Sequence, residues 1–137
     1  MIFSAEKLLD KEAIYDEKIY FNHIPINRGY GMHETYFEAP RGGDYRFSFS
    51  ANSNDDSSYS YFGSWHNIIE VYFNDNKYLS FIDKSNELAN NIHYTWMMKL
   101  THLDKIYIKI PHDSWYFKSD FYRRIVWHGQ LIENIFK

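Results

Sequence analysis

The sequence predicts an all-β protein, and three observations support this prediction. Large apolar and polar residues alternate in short stretches, with the two-residue period of a half-buried strand. Turn-forming residues separate these stretches, as at Pro40, Gly42 and Gly43, where the glycines permit backbone angles that a side chain would forbid. Aromatic residues make up 20% of the chain and favour pleated surfaces. Regularly spaced strands without helices indicate a sandwich or a barrel.

Composition narrows the class of protein further. The 137 residues contain no internal repeat or low-complexity linker, so we expect a single domain over 1–137. The net charge of −3 gives no electrostatic case for nucleic acid as a partner. No stretch approaches the roughly 20 apolar residues of a membrane helix, so no membrane insertion is expected. The chain has no cysteine, which excludes disulfides and thiolate metal sites. No signal peptide follows Met1, which fits either a cytosolic protein or a mature secreted chain.

The sequence predicts eight strands, one tight turn and two weakly helical segments. Two segments, Met1–Lys11 and Lys84–Asn90, have weak helical character. A turn at Asp75-Asn76 is expected to connect the run that ends at Asn74 with a hairpin partner. The predicted strands are 18–27, 33–39, 44–52, part of 59–74, 78–83, 92–100, 104–110 and 123–132.

Alternation assigns one face of each strand to the core. In 44–52 the inward residues are Tyr45, Phe47 and Phe49, and the outward ones include Arg46 and Ser48. The same period selects further core residues, which are Tyr94, Trp96, Met98, Leu100, Ile106, Ile108, Ile110, Ile125, Trp127, Gly129 and Leu131.

Five motifs in order resemble those of one known family. They are Phe3-Ser4-Ala5, the segment I-Y-F-N-H-I-P-I-N at 19–27, Phe37-x-Ala39-Pro40-x-x-Gly43-x-Tyr45-x-Phe47, Leu100-x-x-x-Asp104-x-Ile106-x-Ile108, and Trp127-His128-Gly129-Gln130-Leu131-Ile132. The chain resembles the C1q globular-head domain of the C1q/tumour-necrosis-factor superfamily. It departs from the family pattern at Leu103, where a turn glycine is expected, and at Trp127 and Gln130, where aromatics are expected.

The resemblance implies a ten-strand, two-sheet jelly-roll sandwich whose third strand is 44–52. It implies a secreted homotrimer that binds glycan or protein ligands, as in innate immune pattern recognition. The alternative is a trimeric signalling or adhesion ligand for a cell-surface receptor, as in the tumour-necrosis-factor branch. The implied trimer interface contains Arg46, Ser48, His93, Thr95, His128 and Gln130, with His93 and His128 on neighbouring strands.

The candidate ligand-binding residues can be interpreted either as binding sites or as side chains with a structural role. The seven histidines lack the spacing of a zinc site, and no nucleophile motif is present, so we expect no enzyme. Asp113 beside Trp115 and Tyr116 offers a stacking ring and a hydroxyl acceptor for a sugar, or else these side chains fold back onto the sandwich.

Some members of the resembled family bind calcium, the one cofactor implied here. Asp83 matches its first ligand position and Asn90 lies near the second, where a neutral amide weakens the site.

Overall fold

The computed structural model describes residues 1–8, 17–53, 66–83, 91–111 and 122–133. In these ranges the chain forms nine β-strands and no helix. Accordingly, this part of the chain contains no helix that could span a membrane. The strands are β1 (Ile2–Leu8), β2 (His23–Arg28), β3 (Phe37–Glu38), β4 (Gly43–Ser53), β5 (His66–Phe73), β6 (Asn76–Asp83), β7 (Asn91–Leu100), β8 (Lys105–Lys109) and β9 (Tyr122–Glu133).

The strands form two antiparallel sheets. The five-stranded sheet has the order β2-β1-β9-β4-β7, and the four-stranded sheet has the order β3-β8-β5-β6. Strands that follow one another in sequence, such as β3 and β4, often lie in different sheets, which is the winding of a jelly roll. The predicted all-β jelly-roll sandwich is therefore confirmed. Residues 44–52 lie in the fourth described strand rather than the third, because β1, which is absent from the predicted strands, precedes them.

Ile2–Leu8 form the strand β1, which corrects the weak helical expectation for this part of Met1–Lys11. Residues 9–11 and the other weakly helical segment, Lys84–Asn90, lie outside the described residues. β1 lies between β2 and β9, and Phe3 pairs with Asn27 on one side and with Gly129 on the other. Phe3 and Ala5 point inward and are fully buried. Hydrogen bonding to partners on both sides, both distant in sequence, outweighs the local propensity of this short segment.

Residues 18–27 do not form one continuous strand. Lys18 makes an isolated bridge to Lys109, and the Ile19 amide donates to the Ile108 carbonyl at 2.9 Å, beside the four-stranded sheet. The chain then crosses over, and β2 joins the five-stranded sheet. Similarly, the predicted strand 33–39 is reduced to β3.

Aromatic rings fill the space between the sheets. Phe47 is fully buried, and its ring centroid lies 5.6 Å from that of Trp96 and 5.9 Å from that of Trp127, both on flanking strands. Phe37 approaches from the opposite sheet at 5.6 Å. Tyr45 and Phe49 are also fully buried. The inward assignment of this strand is confirmed, and Phe47 lies at the centre of the core.

Gly129 is required by packing rather than by backbone conformation. A Cβ at this position would lie 2.1 Å from Cε1 of Phe3, closer than any real contact. The Phe3 ring uses this space to stack on Phe37 at 5.1 Å and to meet the edge of Trp127 at 5.2 Å. The glycine thus lets an aromatic ring from β1 lie directly over β9.

Two turns between strands hold non-glycine residues at positive φ. Asn74 (46°) and Asp75 (71°) connect β5 to β6, one residue earlier than the predicted turn, with the two positive φ angles of a type I′ turn. Leu103 (73°) occupies the turn between β7 and β8, at the position where the resemblance places a glycine. Gly43, in contrast, does not have a positive φ, so the backbone at this position does not use the freedom that a glycine offers.

Asp104 organises the turn that contains Leu103. Its carboxylate accepts hydrogen bonds from the Thr101 amide at 2.8 Å, the Thr101 hydroxyl at 3.0 Å and the Asn74 amide group at 2.9 Å. Partial burial opposes ionisation of Asp104, but these hydrogen bonds outweigh it and hold the pKa of the carboxyl below its ordinary value. The Asp104 side chain therefore links the β7–β8 turn to the β5–β6 turn.

Candidate functional site

The outward face of the five-stranded sheet is the main candidate interaction surface, and we call it the mixed face. Cross-strand pairing sets Arg46 of β4 between Gln130 and Met97. It sets Ser48 between His128 and Thr95 in the next row. The structure thus places on one face the six residues that the resemblance assigns to a trimer interface, which are Arg46, Ser48, His93, Thr95, His128 and Gln130.

Apolar side chains are exposed among these polar ones. Met97 is 56% exposed, and Ile2, Ile26 and Ile132 are each about 40% exposed on the same face. Apolar residues mixed with Arg and with few acids are typical of surfaces that associate with other proteins. The composition of the mixed face therefore favours association over simple solvation.

A shallow cavity of about 260 Å³ lies in the mixed face. It is smaller than the roughly 300–1,000 Å³ of typical small-molecule sites, and a side chain of a partner surface fits its size better than a cofactor does. Its walls are Ile2, Phe3, Arg46, Ser48, His128, Gly129 and Gln130.

The two histidines of the mixed face do not lie on neighbouring strands, contrary to expectation. β4 separates β7 from β9, so His93 pairs with Ser50 of β4 and His128 pairs with Ser48. The ring of His93 instead contacts its own strand, with 3.3 Å between its Nε2 and the Thr95 hydroxyl oxygen. Within one subunit the two imidazoles are thus held apart by the full width of β4.

The other candidate residues lie at or beyond the ends of the described ranges. Asp83 is the last residue of β6, and β7 begins at Asn91. Asn90, Asp113, Trp115 and Tyr116 lie outside the described residues, so the calcium and sugar sites stay predictions. Where the chain is described, no three His, Asp or Glu side chains come together as a potential metal site.

Sequence reasoning missed a group of lysines and tyrosines on the four-stranded sheet. Lys18 lies beside Lys109 through the isolated bridge, and the Lys18 ammonium nitrogen is 4.4 Å from the ring centroid of Tyr107. The alternation in 104–110 does place Lys105, Tyr107 and Lys109 on one outward face. Nothing in the sequence, however, indicates that Lys18 joins them, because that contact depends on where the chain crosses between the sheets.

Fold and surface together define a class of protein. The molecule is a jelly-roll sandwich with an aromatic core, and its mixed face is suited to contact with other proteins. The class is therefore a β-sandwich domain with one sheet face suited to association.

The chain belongs to the C1q domain family, because the sequence profile of the C1q domain matches residues 2–132. Members of this family are recognition and signalling modules. The globular domain of zebrafish complement 1qA protein is similar in structure, with a TM-score of 0.67, 21% identity and 96% of each chain covered. Rabbit GITRL is a more remote neighbour, with a TM-score of 0.46, 12% identity and 74% of each chain covered. A comparison with curated proteins gives no match.

Proposed function

We propose that the protein is a secreted homotrimer that recognises glycan or protein ligands, in the manner of innate immune pattern recognition. The observation that supports this most directly is the mixed face, which combines exposed Met97 and Ile132 with Arg46 and Gln130. Membership of the C1q domain family supports the recognition role.

Trimer formation buries the mixed face against neighbouring subunits. Apolar burial contributes about 25 cal/mol per Å², so half-exposed Met97 and the three isoleucines supply part of the driving force. Arg46 and Gln130 provide hydrogen-bonding groups at the same interface, and these groups specify orientation more than they add affinity.

Sedimentation velocity at micromolar concentration tests the assembly. We expect a trimer for the wild type and dissociation for Met97→Asp, because the substitution places a charge in a desolvated interface. Tyr78→Asp is the matched control, since Tyr78 is similarly exposed (52%) but lies on the four-stranded sheet. A wild-type monomer, or equal dissociation of the two variants, contradicts the proposed assembly.

Ligand recognition is tested separately from assembly. The trimer is used to capture ligands from extracellular fluid, with and without a calcium chelator, and is applied to a glycan array. Binding of several glycans or surface proteins is the expected result. Capture of one receptor with high affinity, and of nothing else, contradicts the recognition role and favours a signalling ligand.

A further inference from the structure

A continuous strip of lysines and tyrosines runs across the outward face of the four-stranded sheet, and we call it the Lys–Tyr strip. The ammonium nitrogen of Lys105 lies 5.3 Å from the ring centroid of Tyr36, and that of Lys109 lies 4.7 Å from the centroid of Tyr72. Lys18 contacts two rings, at 4.4 Å and 6.0 Å. In spatial order the members are Lys105, Tyr36, Lys18, Tyr107, Lys109 and Tyr72.

Two lysines at the centre of the strip are fixed next to each other. The isolated bridge pairs Lys18 with Lys109 in the backbone, and both ammonium nitrogens lie within 6 Å of the ring centroid of Tyr107. The ring of Tyr72 stacks on that of Tyr107 at 5.1 Å, with only 4° between the ring planes. A rigid pair of aromatic rings therefore supports two neighbouring cations.

In the described part of the chain, the two central lysines are the cations of the strip that form no ion pair. Within the described residues, ion pairs join Lys77 to Glu70 at 3.1 Å and Lys105 to Glu38 at 3.9 Å, and none reaches Lys18 or Lys109.

Two described acids lie beside the centre of the strip. Glu70 is the cross-strand partner of Lys109, but its carboxylate is engaged by Lys77. Asp75 accepts a hydrogen bond from the Tyr107 hydroxyl at 3.2 Å. Burial, and then this hydrogen bond to Asp75, raise the pKa of Tyr107, so the phenol stays neutral. With Glu70 engaged by Lys77, Glu38 by Lys105 and Asp75 by a phenol, the ammonium groups of Lys18 and Lys109 are left for an anionic ligand among the described residues, on a chain whose net charge is −3.

Fixed ammonium groups suit a ligand with several anionic groups. Lysine side chains are flexible, and ordering them normally weakens binding; here ring contacts hold them in place before a ligand arrives. Tyr107 is only 5% exposed beneath the lysines, so at the centre of the strip a ligand meets charges rather than an open ring. A single-stranded nucleic acid needs exposed rings for base stacking, whereas a sulfated sugar needs only closely spaced cations.

We propose that Lys18 and Lys109 form a binding site for a sulfated polysaccharide. This inference rests on the proposed recognition function and deepens it by naming a glycan class and the residues that hold it. In a trimer the site occurs three times, so one long polymer engages several copies and its apparent affinity rises without any new contact.

Calorimetry with a heparin hexasaccharide at low salt tests the site on the full chain. We expect Lys18→Gln/Lys109→Gln to weaken binding about tenfold or more, on the scale of two lost charge-assisted contacts. Lys109→Gln alone should weaken it severalfold, and the control Arg41→Gln should change it by less than about twofold, since Arg41 is an exposed cation between β3 and β4, outside the strip and the mixed face. Equal effects of Lys109→Gln and Arg41→Gln would overturn the proposal.

A variant of unchanged charge separates positioning from net charge. Tyr72→Leu removes the ring beneath Lys109 and keeps every lysine, so we expect a twofold to fivefold loss, on the order of one cation–π contact. Binding by Tyr72→Leu equal to that of the wild type means that the rings do not preorganise the cations and contradicts the mechanism. A DNA oligonucleotide bound as tightly as the hexasaccharide contradicts the assignment to sulfated glycan.

The hexasaccharide is short enough to occupy one subunit, so its binding is readable in a trimer and in a monomer alike. Loss of trimer or of ligand capture, with hexasaccharide binding intact, contradicts the proposed function and leaves the site standing. A trimer that captures other ligands but not the hexasaccharide contradicts the site alone.

Discussion

Replacing Leu103 should reverse the usual order of alanine and glycine in their effects on stability. At an ordinary position glycine is less stable than alanine by about 0.5–1 kcal/mol, because the unfolded chain gains freedom. Leu103, however, has φ 73° in the turn between β7 and β8. Its amide donates to the Ala39 carbonyl at 2.9 Å, so the surrounding structure holds the residue in this conformation.

Two opposing effects set the difference in stability between Leu103→Gly and Leu103→Ala. An L-residue in the left-handed region loses about 1–2 kcal/mol, which glycine avoids. Glycine also increases the conformational entropy of the unfolded chain, which lowers the stability of the folded protein by about 0.4–1 kcal/mol. We therefore expect Leu103→Gly to be more stable than Leu103→Ala by about 0.5–1 kcal/mol. Leu103→Ala is the reference for Leu103→Gly because both variants lose the leucine side chain, which is 55% exposed.

Urea denaturation followed by tryptophan fluorescence measures the difference, at one protein concentration because association shifts apparent stability. His102 provides the matched control, since it is the exposed residue just before Leu103 in the same turn and does not have a positive φ. There we expect His102→Ala to be more stable than His102→Gly. If alanine is the more stable residue at 103 as well, the turn relaxes without strain and the reasoning is wrong.

Three further predictions concern the core, one hydrogen-bonded acid and calcium. Phe47→Ala should lower the free energy of unfolding by about 3–5 kcal/mol, because it empties the centre of the aromatic core; a loss below about 1 kcal/mol in chemical denaturation contradicts the assignment. Asp104→Ala should lose about 1–2 kcal/mol at pH 7, where the wild-type carboxylate accepts its hydrogen bonds. Because the folded pKa of Asp104 is lowered, its contribution to stability is present above the unfolded value of 3.8 and is lost as pH falls through the folded value. The difference in free energy of unfolding between wild type and Asp104→Ala should therefore be smaller at pH 2.5 than at pH 7. Calcium should bind weakly, with a dissociation constant on the order of 10⁻⁴–10⁻³ M, and the heat should disappear in Asp83→Ala but not in Asp75→Ala; equal calorimetric heats from wild type and Asp83→Ala mean that Asp83 is only a turn residue.

Local alternation was enough to predict the inward and outward faces of the strands. Tyr45, Phe47 and Phe49 lie in the core because a strand shows alternate residues to opposite sides, whatever strand lies beside it. The same period placed the six interface candidates on a common face. Their neighbours could not be predicted from it, since strand order is a property of the whole sheet; His93 and His128 are therefore separated by β4.

Contacts between distant segments account for the features that sequence reasoning missed. β1 has no strong pattern of its own and becomes a strand because β2 and β9 pair with it on either side. Lys18 joins Lys109 because the chain changes sheets shortly after residue 19, which no local motif indicates. The turn at Leu103 is different, since a departure from the family pattern pointed to the position where the structure has positive φ.

The position of β1 also has a consequence for how the protein is made. β1 pairs with β9 along its whole length, from Ile2 opposite Gln130 to Leu8 opposite Arg124. A ribosome releases β1 long before β9 has been synthesised, so the five-stranded sheet cannot close during translation. Until then β1 and β4 each lack the strand that lies between them, and their open edges can pair with other chains. Folding should thus be slow and should finish only after β9 has been synthesised. We expect aggregation to be most frequent among incomplete chains that are still being translated close to one another.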